Sequence, residues 1–215
     1  MRHTLTTVGL LLLLLVPSAA QQTELTDGQI KAAALEVPEL VKLLALKPGM
    51  TVADVGAGFG AWTVRLAKVV GPSGHIYATD IGAAQLAALG DYAKREGFMN
   101  VTVLEGAART TNLPALCCDA ILMRDAYHHL TQPEDIVRSL AAALKPNGRL
   151  AVIDFPPRPN SDVPPGVPAN RRGHGVPPEV VEREVGMMLT HVQTMPAWAP
   201  NSQPASLYLV LFRRP

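Results

Sequence analysis

Asp54-Val55-Gly56-Ala57-Gly58-Phe59-Gly60 follows the apolar run Thr51-Val52-Ala53 and precedes a helical pattern from Ala61 to Val70. This reads as a strand, a glycine-rich turn and a helix. Glycine takes positive φ at no Cβ cost and lets the backbone approach a ligand closely. Such a turn leaves amide donors at a helix N-terminus facing that ligand. A second apolar strand, His75-Ile76-Tyr77-Ala78-Thr79, ends in Asp80, about twenty residues past the glycines, where an acid can accept hydrogen bonds from both hydroxyls of a ribose. A nucleotide-like ligand is the natural occupant. A tight turn holding no ligand is the plainer alternative.

Outward from this turn, strands and helices alternate. Helix Ala83–Glu96, strand Val101–Glu105, strand Ala120–Met123, a helix capped by Thr131-Gln132-Pro133-Glu134 and reaching Leu144, and strand Arg149–Asp154 follow in order, with Lys145-Pro146-Asn147-Gly148 as a turn. Alternation at this spacing implies parallel strands, right-handed helical crossovers and helices on both sheet faces. Before the turn, Thr26-Asp27-Gly28-Gln29 has the form of a capping box opening a short helix. Pro38 suits the first turn of a second helix reaching Leu46.

Between Pro156 and Pro178 the rhythm breaks. Eight prolines forbid regular structure there, and Arg171, Arg172, Gly173 and His174 sit among them. A loop of this length within a compact domain is functional or disordered. A short helix over Glu179–Val185, a strand near Leu189–Thr194, a turn at Asn201 and a last strand Ser206–Phe212 close the chain. With no crossover helix between them, the last two strands should pair antiparallel.

The 215 residues suffice for one domain, and 48% hydrophobic with 17% charged residues is a globular balance. Nineteen basic against eighteen acidic residues offer no excess for nucleic acid. Residues 1–20 read as a secretory signal peptide: a basic start at Arg2, an apolar core from Leu5 to Val16, and small residues before a cut after Ala20. An uncleaved anchor is the other reading, but the core is short against the roughly twenty residues a span needs. The domain then covers residues 21–215, exported to the periplasm or secreted, with no stable membrane span. Cys117 and Cys118 are adjacent and close no long loop. Cys118 reads as a small hydrophobe entering a strand. No metal-ligand set is read here.

Two nucleotide readings compete at the turn. Gly56, Gly58 and Ala61 technically satisfy a dinucleotide fingerprint. The start at Asp54 with glycines at alternate positions instead resembles motif I of the class I S-adenosylmethionine (SAM) methyltransferases. The order of elements over residues 27 to 213 resembles that family's fold as well. It implies an α/β, Rossmann-like, doubly wound seven-stranded sheet, mostly parallel with the last strand antiparallel. Asp119 to Asp125 resembles the family's motif IV, and Leu144-Lys145-Pro146-Asn147-Gly148-Arg149-Leu150 resembles its post-helix turn, with Asn147 in place of a glycine.

The resemblance implies SAM as cofactor. It assigns Asp54, Gly56, Ala57, Gly58, Gly60, Asp80, Ile81, Gly106, Ala107 and Arg124 to the cofactor side, with Ile81 packing on the adenine face. Many members carry an acid for the adenine amino group after the third strand; here the run is Glu105-Gly106-Ala107-Ala108. Adenine would then be held by backbone, by another side chain, or less tightly. Asp125-Ala126-Tyr127-His128-His129-Leu130 follows the fourth strand, at the end where open α/β sheets bind ligands. This resembles a subset of exported bacterial methyltransferases with Tyr-His-His here and Gly-His in the late loop, matched by Gly173-His174. The expectation is an acceptor site in which His128 or His129 serves as general base, Asp125 orients an imidazole or the SAM amino group, and His174 enters from a flexible loop. A solvated or capping role for these histidines is the plainer alternative. The expected acceptor is a small molecule. A nicotinamide-dependent oxidoreductase and a SAM-fold protein that binds without turnover stay open beside the methyltransferase.

Overall fold

The computed structural model describes residues 24–198 and 207–215. The leader, its cleavage point, the turn at Asn201 and the Ser206 start of the last strand lie outside them.

Seven strands form one sheet: β1 (Thr51–Val55), β2 (His75–Asp80), β3 (Val101–Glu105), β4 (Cys118–Arg124), β5 (Leu144–Asp154), β6 (Thr190–Met195) and β7 (Tyr208–Arg213). Their order is β3-β2-β1-β4-β5-β7-β6. Pairings from β3 through β5 are parallel, and β7 runs antiparallel to both β5 and β6. This is the expected architecture. The helices are α1 (Asp27–Leu43), α2 (Ala61–Val70), α3 (Ala83–Arg95), α4 (Pro133–Ala143) and α5 (Pro178–Gly186).

Period-two alternation along β4 sorts the core onto two faces. Ile121 and Met123 pack with Ile136, Val137 and Leu140 of α4 and with Val180 and Val181 of α5. Ala120 and Leu122 pack with Ala33, Val37 and Leu40 of α1 and with Leu66 and Ala67 of α2. The chain reverses its direction of winding between β1 and β4. That switch point opens a crevice at the carboxyl ends of both strands.

Three expectations are corrected. Residues 27–43 form one helix with Pro38 inside it, not two helices. An interior proline costs about 3 kcal/mol. Ala33, Val37 and Leu40 form a buried stripe that spans it, and each large apolar side chain contributes roughly 1.5–3 kcal/mol on burial, so packing outweighs the break. The capping box itself is present, with the Gln29 amide donating to Thr26 Oγ1 at 3.2 Å and the Thr26 amide to Gln29 Oε1 at 3.1 Å. Second, β5 begins at Leu144, because Leu144 already pairs with Cys118; the expected turn survives as an irregularity within the strand, with Asn147 at φ 63°. Third, Cys117 and Cys118 are joined to each other as a vicinal disulfide. Cys118 is fully buried, as a residue entering β4 should be.

Candidate active site

The crevice holds a cavity of about 510 Å³. Its floor is the glycine turn. The Gly56 and Ala57 amides both donate to the Thr79 carbonyl, tying the turn to the end of β2. Gly56 has φ 74°, and a Cβ there would lie 2.4 Å from the Ala126 Cβ. Only glycine lets the β1 turn pass the β4 turn at the switch point. Gly58 differs: at φ 52° its missing Cβ would point into open space. That space belongs to the cavity, which Gly58 lines.

Asp80 stands beside this turn. One carboxylate oxygen accepts the Gly58 amide at 2.8 Å and the other accepts the Ile81 amide at 2.7 Å. The carboxylate therefore braces the turn while lining the cavity. Ile81 also lines it and is 72% exposed, a large apolar side chain left mostly uncovered. Next to Asp80, whose carbonyl accepts the Gly106 amide at 2.8 Å, the lining continues with Gly106, Ala107, Ala108, Thr110 and Thr111. Its short side chains leave backbone and hydroxyls as the polar groups there.

Asp54 is fully buried at the end of β1 and accepts the Thr63 hydroxyl at 2.6 Å. Burial pushes its carboxyl up to about 6, with the Thr63 bond opposing and Asp80 adding to the rise.

Gly60 does not line the cavity. It opens α2 at φ 89°, and a Cβ there would meet Leu89 Cγ at 2.8 Å. Its constraint is packing against α3. Arg124 does line the cavity, but its guanidinium is committed elsewhere. Nε and Nη2 pair with Glu36 of α1 at 2.8 and 2.9 Å, and the group stacks 3.9 Å over the Trp62 ring. The Trp62 Nε1–H also donates to Glu36. This latch brings α1 against the crevice, so that Leu25 and Gln29 line it too. Glu36 and Trp62 were missed by sequence reasoning. An acid on the buried stripe of an amphipathic helix was the available signal.

Asp125 and His129 line the cavity as well. Asp125 follows β4 at φ 56°, and burial, then Asp154, raises its carboxyl. His129 is pushed down to about 4 by burial and by the neighbouring His128 and His174. His128 is buried behind it: its Nδ1 lies 2.9 Å from Asp154 Oδ1, and its amide donates to Asp154 Oδ2 at 3.1 Å. His174 closes the group at 5.1 and 5.8 Å from the other two rings. His128 and His174 lie outside the cavity lining, so of the three imidazoles only His129 faces it.

Nor is the late loop free-standing. The His174 amide donates to Ser161 Oγ at 2.8 Å, and its carbonyl accepts the Arg158 amide at 2.9 Å. Arg171, fully buried, pairs with Glu184 of α5 at 2.8 Å, and Glu184 also accepts the Tyr127 hydroxyl at 2.9 Å.

Residues 52–148 match a family described as a methyltransferase domain. Over this stretch the chain is similar to methyltransferase domains, and its sheet has the fold of the class I S-adenosylmethionine-dependent methyltransferases. The ubiquinone/menaquinone biosynthesis C-methyltransferase UbiE of Ectopseudomonas mendocina is 31% identical over 116 residues, covering 54% of this chain and 45% of that protein. The chain spans about half the length of the curated relatives it matches. Among solved structures, a SAM-dependent methyltransferase from Aquifex aeolicus superposes with a TM-score of 0.66 at 24% identity, over 89% of this chain and all of that one. The N-methyltransferase NodS of Bradyrhizobium japonicum, solved with S-adenosyl-L-homocysteine, gives 0.62 at 18% identity over 84% and 85%. At these identities the superpositions establish the shared methyltransferase fold.

Proposed function

We propose that this protein transfers the methyl group of SAM to a small-molecule acceptor. The observation that carries the reading is the pairing of Gly58 with Asp80: an open-sided glycine turn held by a carboxylate that itself faces the cavity. The residues present fit SAM. Asp80 would take the ribose hydroxyls, Ile81 the adenine face, and the Gly106–Ala107 backbone the adenine edge, in place of the missing acid. The turn around Gly56 and Gly58 would take the amino-acid end, with Asp54 beneath it. Bound there, the cofactor supplies an electrophilic methyl group on a sulfonium.

The chain's own contribution is mainly positioning. Holding an acceptor in a near-attack pose can supply ~7–11 kcal/mol. His129 faces the cavity as a neutral imidazole at pH 7, because its pKa is about 4. So weak a base assists only acceptors that lose a proton readily. Asp125 lines the same side and is suited to orient the acceptor or the cofactor's ammonium. The curated relatives are named as C-methyltransferases. The matched domain ends at Gly148, before the loop that carries His174, so the acceptor is not carried over with it. We further propose that the protein acts outside the cytoplasm after removal of its leader, a reading supported by the basic start, apolar core and small residues of positions 1–20.

Calorimetric titration with SAM and, separately, with NAD is the test. SAM should bind and NAD should not. Charge-assisted hydrogen bonds contribute ~1.5–3 kcal/mol each, so Asp80→Ala should weaken SAM roughly ten- to a hundredfold per lost bond. Unchanged SAM affinity in a folded Asp80→Ala protein would remove Asp80 from the cofactor site.

A further inference from the structure

One ring nitrogen from each of His128, His129 and His174 lies within 4.8 Å of those of the other two. Three imidazoles so close are costly as cations and do little as three separate bases. Neutral imidazole is, however, the commonest protein ligand for metal ions. Tetrahedral zinc at ~2.0–2.1 Å from each nitrogen would space the ligands about 3.4 Å apart, a modest contraction from the present limit.

The surroundings are arranged as a metal site's would be. His128 Nδ1 is taken by the fully buried carboxylate of Asp154, which leaves Nε2 as the nitrogen free for a ligand. A carboxylate behind a histidine is the usual way to fix ring orientation and raise its strength as a ligand. Asp154 is itself fixed by the amides of His128 and Phe155. His174 is presented with equal care. It stands between Gly173 and Gly175, at φ 136° and 125°, where a Cβ would strike Ser161 Oγ at 2.9 Å and the Pro156 carbonyl oxygen at 2.7 Å respectively. Local charge is mixed. The Arg158 guanidinium over Phe155 opposes a second cation, whereas Asp125 and Asp154, near His128, favour one.

We propose that His128, His129 and His174 form a three-imidazole site for a divalent transition-metal ion of the zinc class. Three protein ligands leave one tetrahedral position for water or an acceptor atom, the arrangement of catalytic rather than structural zinc. His129 places this site at the edge of the cavity. A bound ion would lower the pKa of a coordinated hydroxyl or thiol, the task for which His129 alone is too weak. Zinc binding itself does not depend on the methyl-transfer reading.

The test uses the metal alone. Metal-free protein is titrated with zinc chloride by calorimetry in the absence of SAM, and cobalt(II) is added in parallel to read the ligand field from its visible spectrum. The expected result is one equivalent bound at micromolar affinity or tighter, with a tetrahedral cobalt spectrum. His129→Ala and His174→Ala should each weaken zinc at least a hundredfold, and Asp154→Asn about ten- to a hundredfold. SAM affinity, measured separately on the same variants, should hold. His128→Ala empties a buried position and is open to misfolding, so the half-exposed His174 and the exposed His129 carry the decision. Absence of stoichiometric zinc binding, or equal affinity in wild type, His129→Ala and His174→Ala, would overturn the site while leaving the SAM cavity untouched.

Discussion

Asp54→Asn isolates what the buried acid beneath the glycine turn costs the fold. Burial holds the Asp54 carboxyl near 6, against an ordinary value of about 3.9 for aspartate in an unfolded chain. Between those values the folded state keeps a proton that the unfolded state has released. Stability must therefore fall as pH rises across this window, since the unfolded state binds fewer protons. Each tenfold step is about 1.4 kcal/mol, so the loss comes to roughly 3 kcal/mol, complete above pH 6 and absent below pH 4. Asparagine keeps the shape and an oxygen for the Thr63 hydroxyl but cannot ionise. Urea unfolding of both proteins at half-unit steps from pH 4 to 7 gives the difference in their unfolding free energies, in which titrations common to both cancel. That difference should move by roughly 3 kcal/mol in favour of Asp54→Asn as the pH rises. Parallel stability curves would show that Asp54 is solvated or paired more fully than its burial implies, and would refute the reasoning.

Glu36→Gln strips the charge facing Arg124, whose side chain is only 15% exposed. Breaking a buried pair costs about 3–5 kcal/mol. The lower end applies to this partly wet arginine, so a melting point lower by about 6–12 °C is expected by calorimetry. Gly60→Ala should destabilise by about 1–3 kcal/mol through its clash with Leu89 while the folded fraction binds SAM normally. Gly58→Val meets no neighbour, so its folding cost is the backbone strain at φ 52°, about 1–2 kcal/mol, yet the folded fraction should lose SAM; SAM binding lost in Gly60→Ala and kept in Gly58→Val would exchange the roles of the two glycines. The leader prediction is read by N-terminal sequencing of protein recovered from an exporting host. Gln21 should come first, and a cytosolic chain retaining Met1 would overturn export.

What was legible in the sequence was whatever local chemistry decides. The β1 turn, Asp80 and the alternation of strands and helices follow from glycine conformation, apolar periodicity and crossover handedness, all readable within a few dozen residues. What was missed depends on partners far away in the chain. Pro38 looks like a helix start by its own rules, and only the stripe it interrupts keeps α1 continuous. Motif position places Arg124 at the crevice but says nothing of Glu36, 88 residues earlier, which turns its guanidinium toward α1. Gly58 and Gly60 look alike in a motif, and only the folded chain separates open cavity from the Leu89 side chain. Proline content marks the late loop as irregular, which is easily mistaken for flexible; Ser161, Arg158 and Glu184 hold it in place. The bond between Cys117 and Cys118 is likewise invisible to spacing rules built around loop closure.

Glu184 has a consequence for how this scaffold can diversify. The same carboxylate receives Tyr127, next to His128, and Arg171, three residues before His174. Two segments that would ordinarily drift independently are knotted through one side chain, and a substitution there is felt at both at once. Variation in acceptor preference would therefore be channelled into exchanges of single side chains on a fixed frame, at lining positions such as Leu130 and Thr131, and away from changes in loop length. A library seeking new acceptors would keep Glu184, Arg171 and Tyr127 constant and randomise those two.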